Sequence, residues 1–481
     1  MTGTPIVRVL AALMSMVLVT AVGRRPPVLA QAPDIAGRWA GALEILGRTL
    51  EFSVTFARAD GVLVAKMDIP AQGAHGLDLV NVTADETRAH FELDAGPGLA
   101  VWDGARSGDG IEGVFTQGGG RGSFRVERAD GETVEAVTEE PDEPLPYAQE
   151  DFAFDNGSVH LVGTLTLPEG DGPFPAVVMV TGSGPQNRDE ELLGFRPFRI
   201  IADHLTRNAI AVLRYDDRGV GASSGDIASS TTSDFADDAL AAIARLGRHP
   251  AIDAERIGII GHSEGGVVAP MAAQRSSSVA FVVLLAGTSV PGAEVIYEQL
   301  AEIARAAGQS EDEIAEALAL QRRIFGALAA GDDLEGFREE LEAIGRQQAA
   351  RLTAEQRALM EDEDLLIKNQ VSGQLAQLRT PWFRFFLTYD PAAALRETTV
   401  PVLALFGALD LQVTPAQNRG PMAEALGHNP DVTIETFPRA NHLFQRAGTG
   451  SPDEYATLEK VFVPGLLEML SGWIDARFGG V

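Results

Sequence analysis

A short apolar run, Arg256-Ile257-Gly258-Ile259-Ile260, leads without a break into Gly261-His262-Ser263-Glu264-Gly265-Gly266, and an alanine-rich segment follows. The run has the character of a buried strand and the segment after it that of a helix. A chain that turns from strand to helix within so few residues must strain its backbone, so small residues are needed on both sides of the serine. Ser263 would then project its hydroxyl from the tip of the turn. A hydroxyl attacks only when a base takes its proton, so a histidine and a carboxylate must be found elsewhere in the chain.

Gly-x-Ser-x-Gly occurs a second time, at Gly221-Ala222-Ser223-Ser224-Gly225. That copy follows Asp216-Asp217-Arg218-Gly219 and runs into a polar stretch with no helix start, so it reads as a loop. Only Ser263 has both a strand before it and a helix after it.

The rest of the chain supports the same architecture. Residues 34–130 read as an all-β module: Leu50, Phe52, Val54 and Phe56 alternate with polar residues, and so do Leu63, Ala65, Met67 and Ile69. Six or seven short strands there predict a small barrel or sandwich. Residues 131–150 are acidic and punctuated by proline, which predicts a linker. From 151 to 481 strands and helices alternate. Strands are expected at 159–167, 176–181, 210–215, 256–261, 279–286, 402–406 and 432–437, and helices at 196–208, 233–247, 265–275, 415–426 and 457–478. Apolar strands separated by helices predict a doubly wound α/β domain with a mostly parallel sheet. A helical stretch at about 291–399, with Leu334, Phe337, Leu341 and Ile344 three or four apart, interrupts the alternation and is expected to act as a lid. Its aromatic group Trp382, Phe383, Phe385 and Phe386 reads as plain core or as an acyl-pocket lining.

Composition narrows the chemistry. A net charge of −30 argues against nucleic acid or an anionic membrane as partner. With no cysteine there is no thiolate nucleophile, disulfide or thiolate metal site, and the eight histidines include no HExxH spacing. No cofactor or metal is expected. At the N-terminus, Arg8, an apolar run from Val9 to Gly23 and Val28-Leu29-Ala30 predict a signal peptide over 1–30. Cleavage near Ala21 or Ala32 and a retained anchor are the alternatives. No other segment is long and apolar enough for a span, so the mature chain is expected to be soluble and exported, periplasmic or extracellular.

A general base should lie on a loop after a late strand. Of the eight histidines, His442 in Arg439-Ala440-Asn441-His442-Leu443-Phe444 alone meets that requirement; His262 adjoins the serine, with its side chain directed away. Asp410, just past the strand from Val402, is the expected carboxylate, with Asp390 and Asp431 as competitors that read as turn or cap residues. Two backbone N–H groups should hold the developing oxyanion. Glu264 offers one, and the loop Thr181-Gly182-Ser183-Gly184 the other, from Ser183 first and Gly182 second.

Taken together, residues 151–481 resemble the α/β-hydrolase superfamily, in particular the bacterial esterase and serine-aminopeptidase-like branch with a GHSEGG elbow. The resemblance is carried in order by GSGPQNRDE (182–190), RYDDRGVGASSG (214–225), GHSEGG (261–266), DLQVTPAQN (410–418) and NHLFQ (441–445). It implies Ser263, Asp410 and His442 as a triad that hydrolyses ester or amide bonds through an acyl-enzyme. Thr181 departs from the histidine that many members carry before the oxyanion glycine. The expected activity is therefore that of an exported carboxylic ester hydrolase acting on a small molecule. A peptidase of the same mechanism, an acyltransferase and a binding protein that kept only the fold are the alternatives.

Overall fold

In a computed structural model the described residues are 35–479, less 46–47, 60–61, 70–73, 86, 95–98, 118–119, 130–144, 351 and 353–361. The signal-peptide reading and most of the linker reading fall outside them. The chain forms two compact units, residues 1–143 with 333–378, and residues 144–332 with 379–481. Part of the helical insertion thus belongs to the first unit.

Among its described residues the first unit holds nine antiparallel strands, more than the six or seven expected: β1 (Gly37–Ile45), β2 (Arg48–Ala59), β3 (Val62–Ile69), β4 (Ala74–Asp78), β5 (Val80–Ala84), β6 (Arg88–Asp94), β7 (Leu99–Ser107), β8 (Gly110–Gln117) and β9 (Gly120–Arg128). Their order is β4-β3-β2-β1-β9-β8-β7-β6-β5. Leu79 alone separates β4, which pairs with β3, from β5, which pairs with β6, so the two ends of the order are one stretch of chain and the sheet curls to a nearly closed barrel. Every second side chain points inward, and these fill the interior: Phe52, Val54 and Phe56 from β2, Phe91 and Leu93 from β6, Trp102, Phe115 and Phe124. Phe91 stacks on Trp102 with centroids 5.5 Å apart.

The second unit is an eight-stranded sheet with helices on both faces. Its elements are β10 (Ala148–Asn156), β11 (Val159–Leu167), β12 (Phe174–Val180), α1 (Pro197–Arg207), β13 (Ala211–Tyr215), α2 (Thr232–Leu246), β14 (Ile252–His262), α3 (Gly265–Arg275), β15 (Val282–Leu285), α4 (Gly292–Ala306), α5 (Glu311–Ala330), then, past α6 (Arg338–Ala349) and α7 (Glu363–Leu378) of the first unit, α8 (Pro381–Thr388), α9 (Pro391–Glu397), β16 (Val402–Gly407), α10 (Pro415–Ala425), β17 (Val432–Phe437) and α11 (Leu466–Phe478). The strand order is β10-β11-β13-β12-β14-β15-β16-β17. Pairing is parallel from β13 through β17 and antiparallel at β10–β11 and β11–β13. Neighbouring residues on a strand face opposite sides, so Val178 packs with Ala239 and Val268 in one core while Val177 and Met179 pack with Phe198, Leu205 and Ile474 in the other.

Two expectations need correction. Strand β10 begins inside the segment read as linker, because only Phe152 and Phe154 of its nine residues turn inward and the sequence pattern is faint. The last helix starts at Leu466 rather than near 457, since Pro464 and Gly465, with φ +89° at the glycine, interrupt it.

Candidate active site

At the carboxyl end of β14 the backbone of Ser263 takes φ +52°, in the left-handed region that L-residues rarely occupy. Its N–H is held by Leu285 O of β15 at 2.8 Å. The flanking glycines are required by crowding: a Cβ at Gly261 would run into Gly265 O, and one at Gly265 into Val180 O of β12. Strain and crowding together make Ser263 the tip of the turn, as its sequence context predicts.

The loop after β17 brings His442 to this place. His442 Nδ1 lies 2.8 Å from Asp410 Oδ2, and both residues are buried. Asp410 Oδ1 accepts from Gln412 N–H at 2.7 Å and Val413 N–H at 2.9 Å, so the loop after β16 fixes the carboxylate. An ionised carboxylate only accepts, so the proton of a neutral His442 sits on Nδ1 and the lone pair on Nε2. Asn441, wholly buried, steadies the loop by accepting from Leu443 N–H and Gln445 N–H. His262 then ties the loop to the elbow: its Nε2 donates to His442 O at 3.0 Å, and the two rings are 4.8 Å apart. Among the described residues Ser263 Oγ makes no hydrogen bond to the His442 ring. Such bonds commonly tighten only when substrate arrives.

The competitors are engaged elsewhere. Asp390 caps α9 by accepting from Ala392 N–H, and Asp431 binds the Arg477 guanidinium at 2.6 Å. Ser223, in the second Gly-x-Ser-x-Gly, donates to Asp216 O at 2.8 Å and accepts from Val162 N–H at 3.0 Å, a buried structural hydroxyl.

For the oxyanion donors the loop after β12 sorts itself. Gly182 N–H donates to the buried carboxylate of Glu190 at 2.7 Å, which takes it out of contention. Among the described residues Ser183 N–H and Glu264 N–H have no protein acceptor. The loop is stitched down by the acids of the RYDDRG segment: Thr181 Oγ1 donates to Asp217 at 2.9 Å, Gln186 N–H donates to the same carboxylate at 2.9 Å, and Arg188 pairs with Asp216 at 2.6 Å. Burial pushes the Asp217 carboxyl well above the ordinary range, with Glu190 and Glu264 adding to the rise.

Sequence reasoning placed Glu264 for its N–H and missed its side chain. That carboxylate accepts from Thr232 Oγ1 at 2.7 Å and from the Trp382 indole N–H at 2.8 Å, with the Ser183 side chain as a further partner. Burial raises it above the usual carboxylate range. Its bond to Trp382 fastens α8 beside the nucleophile turn, and Trp382 stacks on Phe386 at 5.2 Å. Glu190, His262 and Thr232 were also missed. For His262 the available signal was a titratable ring between a buried-type strand and the serine, whereas Glu190 and Thr232 stand in polar stretches that read as solvated.

Among the described residues no group of three or more His, Cys, Asp or Glu could hold a metal ion, and no helix is long and apolar enough to cross a membrane.

A strand-to-helix serine turn on a mostly parallel sheet, with an acid–histidine pair on its last two loops, defines a hydrolase fold. Residues 177–458, more than half of the chain, match the alpha/beta hydrolase family, and the chain belongs to that family. A relative from Thermotoga maritima, Esterase EstD, is 29% identical over 296 residues, which are 61% of this chain; the chain spans 61% of that relative's length. Among solved structures, the esterase Pf2001 of Pyrococcus furiosus is similar at 16% identity and a TM-score of 0.41, over 70% of this chain and 93% of that one. Est1E of Butyrivibrio proteoclasticus, solved with ferulic acid, is similar at 14% identity and a TM-score of 0.38, over 68% and 96%.

Proposed function

We propose that the protein is an exported serine esterase of the GHSEGG branch that cleaves carboxylic esters through an acyl-enzyme, with Ser263, His442 and Asp410 as its triad. The observation that carries this reading is the buried 2.8 Å bond from His442 to Asp410, held against the elbow by His262. His442 Nε2 takes the Ser263 proton as Oγ bonds to the acyl carbon. Glu264 N–H and Ser183 N–H hold the oxyanion, and the proton passes to the leaving alcohol as the C–O bond breaks. Water then repeats the sequence on the acyl-enzyme, releasing the acid and free Ser263. Asp410 keeps the imidazole in the Nδ1–H tautomer throughout and offsets the charge it gains.

The helices α4, α5 and α8 fit the role of a lid over the acyl pocket, and the Trp382–Glu264 bond supports a position for α8 beside the nucleophile. A peptidase that captures a substrate amine needs a carboxylate to spare. Glu264 is already committed to Thr232, Trp382 and Ser183, which favours the ester reading. Export rests on the N-terminal sequence. Ser263→Ala should abolish hydrolysis of p-nitrophenyl butyrate while leaving the circular dichroism unchanged; a variant that keeps most of its activity would remove Ser263 from the reaction.

A further inference from the structure

Glu190 and His262 lie outside the triad, yet both are buried beside it. Glu190 takes φ +50°, a conformation kept only where the surroundings enforce it. Its Oε1 accepts from Gly182 N–H at 2.7 Å and faces His262 Nδ1 at 2.8 Å, whereas its Oε2 is buried with no partner among the described residues. All of the carboxylate's hydrogen bonding therefore runs through one oxygen. On the far side of the ring, His262 Nε2 meets His442 O at 3.0 Å. A carbonyl oxygen only accepts, so Nε2 must carry a proton.

We propose that Glu190 and His262 are positioning residues for the reaction: the carboxylate, acting through the imidazole, sets both the oxyanion loop and the backbone of His442 relative to Ser263. This rests on the serine-esterase reading above. The chain of contacts joins the loop of 182–190, the last residue of β14 and the loop after β17, the three segments whose mutual placement the reaction needs. Burial alone would lower the affinity of His262 for a second proton, and the Glu190 carboxylate, the His442 carbonyl and the Asp410 charge together more than offset it. As an imidazolium, His262 donates from both nitrogens, to the carboxylate on one side and the carbonyl on the other. A charge pair used this way holds geometry; its loss should slow turnover rather than weaken substrate capture.

The test is steady-state kinetics of the full chain with p-nitrophenyl butyrate, with Ser263→Ala as control. Glu190→Ala should lower kcat by about a hundredfold, the cost of misplacing reacting groups by about 1 Å, with KM changed by less than about twofold. Glu190→Gln, which keeps an acceptor for Gly182 N–H, should restore at least about tenfold of that loss. His262→Asn keeps a donor toward Glu190 and falls short of His442 O, so it should resemble Glu190→Ala. His262→Gln reaches as far as Nε2 and should recover part of the rate. The Glu190→Ala/His262→Asn double variant should be no slower than the worse single one, because the two act as a unit. Folded Glu190→Ala and His262→Asn proteins with parental kcat would overturn the proposal, and an inactive Ser263→Ala beside them would leave the esterase reading standing. An active Ser263→Ala would instead overturn that reading. Should Glu190→Ala not fold, the His262 pair decides: equal kcat for the Asn and Gln variants contradicts a link through Nε2.

Discussion

The two units bury opposite kinds of interior. In the barrel, Ser53 is the one buried polar side chain among the described residues of the strands, and the remainder is aliphatic and aromatic. Around the nucleophile turn the second unit buries Glu190, His262, Glu264, Asp410, Asn441 and His442 within a few residues of one another. Apolar burial stabilises a fold at about 25 cal/mol per Å², while a buried charge costs free energy unless it is hydrogen-bonded. The barrel spends its interior on stability. The second unit holds groups that are costly to bury, and every one described above is fastened by hydrogen bonds, which is what a site that must control charge requires.

That contrast can be broken at four points. The largest effect is expected at Asp410→Asn, where the amide would hold the wrong imidazole tautomer and lower kcat by about 10⁴-fold without loss of fold; steady-state rates near the parent's would separate the buried carboxylate from the chemistry. In the barrel the equivalent blow falls on stability. Phe91→Ala empties the space between Phe56, Trp102 and Phe124 and should cost about 3–5 kcal/mol, read from urea unfolding followed by tryptophan fluorescence. A loss below about 1 kcal/mol would mean that the interior is loosely packed. Trp382→Phe keeps a ring and removes the N–H donated to Glu264, leaving a buried carboxylate short of a partner, and should cost about 2 kcal/mol in the same assay. The smallest change is expected from Trp102→Phe. Its indole Nε1 is buried with no hydrogen-bond partner among the described residues, so losing the N–H should cost nothing and only the space left by the smaller ring should tell, about 1 kcal/mol. A loss as large as that at Phe91 would contradict an N–H that contributes nothing.

The same contrast decides what could be read from the chain. Alternation at Phe52, Val54 and Phe56 announced an all-β module, barrel or sandwich, and the run before Ser263 announced the elbow, because apolar periodicity reports burial directly. Asp410 and His442 were legible from their places after late strands. Glu190 and Thr232 were not, because a polar residue in a loop or at a helix start looks solvated until the fold closes over it. Glu264 shows both sides: the backbone role proposed for it follows from its position after the serine, whereas its carboxylate acquires meaning only when Trp382, more than a hundred residues later, arrives as its donor. Strand count failed in the barrel for a related reason, since β4 and β5 are five residues each and no residue of β5 is buried.

The claim on which all of this depends is that the strained serine at the end of β14 is the nucleophile. Its most direct measurement is labelling of the intact protein with a fluorophosphonate, followed by intact mass and peptide mapping. A single adduct on Ser263 that blocks ester hydrolysis in proportion to labelling is expected. Activity that survives full exposure to the reagent, or an inactivating adduct on another serine such as Ser223, would contradict it.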